Sequence, residues 1–149
     1  MSLEKGVKAP ELGIPNQNGE IVTLSQFEGK KIVLYFYPKD NTPGCTTQSC
    51  NLRDNYNALL EQGYVVLGVS ADSEKSHQNF ISKFELPFDL LADTDKKVIE
   101  AYDIWKEKKT FGKTYMGIVR TTYIIDEKGF IEEVIEKVDT KNHTVQIIN

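Results

Sequence analysis

The 149 residues contain only two cysteines, two histidines and one tryptophan. A structural zinc site takes about four ligands at short spacing. Cys45, Cys50, His77 and His143 show no such spacing, so no metal and no cofactor are expected. A chain of this length buries enough surface to hold a core without staples, and neither cysteine is required for folding. No apolar run approaches the roughly 18 to 20 residues of a membrane span. The start, Met-Ser-Leu-Glu-Lys-Gly, has no apolar signal core. No membrane association is therefore expected, and the cytoplasm is the expected compartment. Thiols are kept reduced there, and a close cysteine pair is more often catalytic or metal-binding than structural. An excess of basic charge is also missing: 22 acidic residues against 18 basic ones leave a formal charge of −4. Nucleic acid is not an expected partner. Repeats, low-complexity tracts and Pro/Gly/Ser-rich linkers are absent, which predicts one domain spanning residues 1–149, expected as a monomer.

What is present is an alternation of strand and helix patterns. Residues 7 to 24 hold two short, partly apolar segments around an Asn18-Gly19 turn signal, which predicts a small N-terminal hairpin. Lys31 to Tyr37 and Tyr64 to Ser70 are near-continuous apolar, β-branched runs, the pattern of parallel strands covered on both faces. Between them Leu52, Tyr56, Leu59 and Leu60 recur at helical spacing and Gly63 follows as a C-cap, completing a βαβ unit. A second helix is predicted from about Ser73 to Phe84, then a strand from Phe88 to Ala92 and a third helix on Val98, Ile99 and Tyr102. Thr121 to Asp126 and Phe130 to Ile135 read as an antiparallel hairpin, and the tail from about Asn142 as a last helix with Val145, Ile147 and Ile148. The basic stretch Lys106 to Lys113 is read as an irregular, solvated loop, and Tyr35, Phe36 and Trp105 as core. The sum is an α/β fold with a central mixed sheet.

The informative segment runs from Pro38 to Cys50, between a buried strand and the helix after it, where α/β folds place ligands. Thr42 suits an N-cap and Pro43 the first helical position, which puts Cys45 in the first turn near unpaired N–H donors. Such a position favours the thiolate, by about 0.3 to 1 kcal/mol, or about 2 when partly buried. Lowering a thiol from about 8.5 to near 6 takes roughly 3.4 kcal/mol, so a cation must supply the remainder. Arg120, at the start of a predicted strand, is the candidate, and its fork of donors also suits an oxygen on which negative charge develops. Taken alone, an arginine there is a surface residue, and spacing does not bring it to Cys45.

The chain resembles the peroxiredoxins, in particular the bacterioferritin comigratory protein or peroxiredoxin Q type, over nearly its whole length. The family pattern of proline, threonine or serine, and cysteine is met by Pro38, Thr42 and Cys45. Gly44-Cys45-Thr46, the second cysteine Cys50, the run Asn51-Leu52-Arg53-Asp54 and the Arg120 segment carry the subfamily likeness. The resemblance implies a thioredoxin-like fold with an added N-terminal hairpin. It implies a peroxidase acting on hydrogen peroxide and organic hydroperoxides, with Cys45 as peroxidatic and Cys50 as resolving cysteine. Thr42 would direct its hydroxyl toward the thiolate and the peroxide, Pro43 would shield the site and Arg120 would polarise both. The Gly44 and Cys45 amides would receive substrate oxygens, and thioredoxin or a similar dithiol would reduce the Cys45–Cys50 disulfide.

On one regular helix, α-carbons five residues apart stand roughly 8.7 Å apart, whereas a disulfide spans about 4.4 to 6.8 Å. Closing the pair therefore requires the helix to unwind. Four other readings compete. A thioredoxin-type oxidoreductase lacks its Cys-x-x-Cys here. A cysteine protease needs a histidine at the sulfur, yet His77 is read as exposed on a polar helix face and His143 as a surface or capping residue. A metal module lacks ligands, and a non-catalytic binding or chaperone domain leaves Pro38, Thr42, Cys45 and Arg120 together without a purpose. For Cys50 the simpler alternative is a packing residue on a buried helix face.

Overall fold

The computed structural model describes residues 3–148; Met1, Ser2 and Asn149, which the single-domain expectation and the reading of the start include, lie outside them. A short pair, β1 (Ile14–Pro15) and β2 (Ile21–Val22), forms the expected N-terminal hairpin. Its turn is closed by Asn16, whose Oδ1 accepts from the Asn18 and Glu20 amides. A 3-10 turn, Leu24–Phe27, leads to β3 (Lys31–Phe36), which pairs in parallel with β4 (Tyr64–Ser70). β4 in turn pairs in parallel with β5 (Asp89–Ala92). On the other side β8 (Thr121–Ile125) runs antiparallel to β3, and β9 (Ile131–Ile135) antiparallel to β8. The mixed sheet has the order β5-β4-β3-β8-β9.

The apolar run of β3 hides a period of two. Ile32, Leu34 and Phe36 enter one core, with Val98, Ile99, Tyr102 and Tyr123. Val33, Tyr35 and Tyr37 enter the other, with Leu52, Leu59, Phe80 and Phe88. A strand buried on both faces needs no polar alternation, which is why the segment reads as continuous.

The helix between β3 and β4 is not one piece. α1 (Pro43–Asp54) ends at Asn55 and α2 (Tyr56–Glu61) follows. The Asn55 side chain donates to the Asn51 carbonyl (2.8 Å) and so competes with the helix for that acceptor. Gly63 closes the unit at φ 87°. α3 (Glu74–Phe84) starts at Ser73, whose hydroxyl accepts from the Ser76 amide. α4 (Lys97–Ala101) is capped by Asp93, which accepts from the Ile99 amide at 2.7 Å. The last helix is α5 (His143–Ile147).

The expected loop over Lys106–Lys113 is instead an antiparallel hairpin, β6 (Trp105–Thr110) with β7 (Lys113–Ile118). Phe111 and Gly112 turn it at φ 51° and 75°, the positive pair that a two-residue hairpin turn requires. The arm projects with most of β7 exposed, so neither strand has the buried face that would print an alternating pattern. Trp105 is half-buried against the core, with the Lys96 ammonium over its ring. Among the described residues no helix is long and apolar enough to cross a membrane.

Candidate active site

The buried face of α1 consists of Cys45, Gln48, Ser49 and Leu52, the i, i+3, i+4, i+7 stripe of an amphipathic helix. Only Leu52 is a large apolar residue, so most of the burial is devoted to polar and reactive groups. Thr42 is the N-cap with extended backbone (φ −101°, ψ 155°) and Pro43 opens the helix. The first helical bond runs from the Thr46 amide to the Thr42 carbonyl (2.8 Å). The amides of Gly44 and Cys45 thus have no acceptor within the helix.

Cys45 is 1 % exposed. Its sulfur accepts from Arg120 Nη2 at 3.3 Å, while Arg120 Nη1 donates to Gln48 Oε1 at 2.6 Å. Arg120 stands immediately before β8, and the antiparallel pairing of β8 with β3 brings it back over the start of α1. Gly44 completes the fit: a β-carbon there would meet Arg120 Nη2 at 3.1 Å. The Thr42 hydroxyl donates to the Lys39 carbonyl (2.9 Å), so its hydrogen closes the loop in this state instead of pointing at the sulfur. Pro43 is exposed at the mouth of the site.

Cys50 lies further along the same helix, half-buried, and both cysteines are free. Burial pushes the Cys50 thiol upward, against a smaller opposing pull from Arg53, so it is held as a thiol while α1 is intact.

Gln48 was missed by the reading of the sequence. The available signal was its position three residues after Cys45, which places both on one helical face. Its Oε1 orients the guanidinium, and its buried Nε2 has no partner among the described residues.

Both histidines are more buried than their sequence neighbourhoods indicated, each 0 % exposed. His77 Nδ1 meets Asp40 Oδ2 at 2.7 Å and its Nε2 meets the Leu91 carbonyl at 2.9 Å. His143 Nε2 meets the Thr122 hydroxyl at 2.8 Å and Nδ1 meets Gln146 Oε1 at 2.7 Å. Polar flanks misled the reading because these imidazoles turn inward onto built acceptors. With both nitrogens engaged elsewhere, neither ring serves Cys45 as a base, and the cysteine-protease reading fails on geometry.

A concavity at the sheet's other end, about 310 Å³ and lined by Leu24, Phe27, Ile32 and Ile125 among others, is remote from this chemistry. It borders Ile32 at the start of β3, whereas Cys45 follows the end of that strand.

A cysteine in a helix's first turn, bearing an arginine on its sulfur at the carboxyl edge of a mixed sheet, defines a thiol-based oxidoreductase. Comparison with known proteins narrows this. Residues 5–134 match the AhpC/TSA family. The chain is 49 % identical over 148 residues to peroxiredoxin Bcp of Bacillus subtilis, covering 99 % of this chain and 94 % of that one. It is 44 % identical over 147 residues to peroxiredoxin Bcp of Escherichia coli, with coverage of 99 % and 94 %. The solved structure of the Xanthomonas campestris bacterioferritin comigratory protein, from work on its alkyl peroxide reduction activity, superposes with a TM-score of 0.87 at 33 % identity, covering 97 % of this chain and 94 % of that one. The chain therefore belongs to the AhpC/TSA family, in its bacterioferritin comigratory protein or peroxiredoxin Q branch, with a thioredoxin-like fold and thiol-dependent peroxidase activity.

Proposed function

We propose that Cys45 is the peroxidatic nucleophile and Cys50 the resolving cysteine of a two-cysteine cycle. The observation that carries the reading is the Arg120 Nη2 contact to Cys45 Sγ at 3.3 Å, which supplies the cation that a helix terminus alone cannot replace. The Cys45 thiolate attacks the nearer oxygen of a hydroperoxide: an S–O bond forms, the O–O bond breaks, and the departing alkoxide or hydroxide takes up a proton to leave as alcohol or water. Arg120 and the Gly44 and Cys45 amides face the oxygens on which charge builds. Thr42 supplies a hydroxyl oxygen at the same edge, and Pro43 covers the mouth.

The sulfenic acid on Cys45 then condenses with the Cys50 thiol, releasing water and forming the disulfide. Both residues belong to α1, and a regular helix keeps their α-carbons about 8.7 Å apart, beyond the reach of a disulfide. Local unwinding of α1 therefore precedes closure. An external dithiol of thioredoxin type reduces the bond and is itself oxidised. Hydrogen peroxide and alkyl hydroperoxides are the proposed substrates, and a monomeric, single-domain cytoplasmic enzyme the proposed form.

Stopped-flow oxidation of the reduced protein with thiol counting tests the cycle. Two thiols should be lost in the parent and no comparable oxidation seen in Cys45→Ser. Cys50→Ser should retain a sulfenic acid and go on to overoxidation at excess peroxide. An unchanged intramolecular disulfide yield in Cys50→Ser would remove Cys50 from the mechanism.

A further inference from the structure

Asp40 sits in the short loop between β3 and α1, two residues before Thr42, and is 6 % exposed. Its Oδ1 accepts from the Tyr37 hydroxyl at 2.5 Å, and its Oδ2 accepts from the Ser76 hydroxyl at 2.8 Å and meets His77 Nδ1 at 2.7 Å. The Asp40 amide donates to Asp72 Oδ2 (2.8 Å), which also receives the Ser70 hydroxyl (2.7 Å). His77 Nε2 faces the Leu91 carbonyl. A carbonyl only accepts, so Nε2 carries a hydrogen, and one proton is shared between Nδ1 and Oδ2. The Asp40, Asp72 and His77 ligand atoms approach one another within 4.8 Å, and the facing carboxylate oxygens already receive the donors named above, so the cluster is a hydrogen-bonded brace.

What this brace holds is the loop that delivers Cys45. Directly after Asp40, Asn41 takes φ 58°, a left-handed conformation that persists in a non-glycine residue when its surroundings enforce it. Thr42 then starts α1, and Cys45 must meet Arg120, which arrives from the separate strand β8. The two halves of the site are thus registered by whatever fixes the loop.

We propose that His77 is a positioning residue for the peroxide reaction. From α3 and β5 it fixes Asp40, and through Asp40 it sets the loop and the first turn of α1 against Arg120. The inference deepens the proposed function and rests on Cys45 being the peroxidatic group.

The test compares the parent with His77→Asn and His77→Gln. The asparagine amide nitrogen falls near Nδ1 and keeps a donor to Asp40, whereas glutamine reaches toward Leu91 and leaves Asp40 short of one. Two rates are read at Cys45. One is oxidation by hydrogen peroxide. The other is alkylation by iodoacetamide at about pH 9.5, above the ordinary thiol range, so that thiolate fraction does not limit it. His77→Gln should oxidise roughly 10- to 100-fold more slowly, as expected for a misplaced reacting group, and alkylate no more slowly than the parent. His77→Asn should stay within roughly threefold of the parent in both. Parent-like peroxide rates in His77→Gln, equal losses in the two variants, or a parallel fall in alkylation would each overturn the proposal. Where a His77 variant fails to fold, Ser76→Ala decides, because it removes one donor from the same carboxylate at a half-buried position. Several-fold slower peroxide oxidation with unchanged alkylation supports the brace, and parent-like oxidation overturns it. If peroxide leaves Cys45 of the parent unmodified by mass spectrometry, the cycle itself fails, an outcome distinct from any of these.

Discussion

Adding one methyl group at Gly44 separates stability from chemistry. A β-carbon there stands 3.1 Å from Arg120 Nη2, so the guanidinium must give way by a few tenths of an ångström. Alanine is the better helix residue, by up to about 1 kcal/mol. Gly44→Ala should therefore melt no earlier than the parent while oxidising with peroxide several-fold more slowly, as thermal melts and stopped-flow traces would establish. Arg120→Ala removes the cation altogether. A hydrogen bond to a charged group is worth about 1.5 to 3 kcal/mol, so the oxidation rate should fall roughly 10- to 100-fold. Gln48→Ala should cost less, since it loosens the guanidinium without removing it. Of these three residues, only Gln48 escaped the reading of the sequence: a glutamine carries no family signal on its own, and its orphaned Nε2 exists only once α1 is packed.

At the scale of elements, the proposed cycle asks α1 to be stable enough to present Cys45 and loose enough to release Cys50. Several anchors hold it. Ser49 bonds the Tyr35 hydroxyl at 2.8 Å, and Arg53 Nη1 donates to the Phe84 carbonyl at 2.8 Å. The tail is clasped by Asn51, whose Oδ1 accepts from the Thr144 amide and hydroxyl, each at 2.8 Å, and whose Nδ2 donates to the Lys141 carbonyl at 2.9 Å. Asn51→Ala frees α5 from α1 at a cost of about 1 kcal/mol per bond. Amide hydrogen exchange should accelerate across residues 43–54 and 139–148, and the disulfide should close faster after peroxide is added. Unchanged exchange in α1 would mean that the tail does not gate unwinding. The α1–α5 clasp was not legible in the sequence, because it joins residues more than 90 positions apart. The β6–β7 arm was missed for a different reason: period-two alternation records burial of one face, and a projecting hairpin has none.

For the molecule as a whole, His143 links stability to pH. Gln146 Nε2 donates to the Lys137 carbonyl, which turns its Oε1 toward His143 Nδ1. Nδ1 therefore carries the hydrogen and Nε2 accepts from Thr122. Burial holds this imidazole below its ordinary value of 6.5, and the nearby Arg120 charge pushes in the same direction. The unfolded chain thus binds the proton first as pH falls. The stabilisation is complete above about 6.5 and is lost progressively as pH drops from there through the lowered folded value. Melting temperature should decline as pH falls below about 6.5, and His143→Gln should flatten that slope; an equally steep decline in the variant would shift the cause elsewhere.

The sequence by itself determined the alternation of strands and helices, the start of α1 at Thr42-Pro43 and the presence of a cysteine in its first turn. Each of these follows from local chemistry: side-chain periodicity, the missing proline amide hydrogen and the orphaned donors of a helix end. It also offered Arg120 as the candidate cation, and only the family likeness, not spacing, set it beside Cys45. Tertiary structure alone decided that Arg120 reaches the sulfur at 3.3 Å, that Gln48 holds it there, and that both histidines turn inward. Those outcomes depend on which strand lies beside which. β8 returns antiparallel next to β3 across a long sequence separation, and pairing over such a distance is set by the packing of the whole sheet.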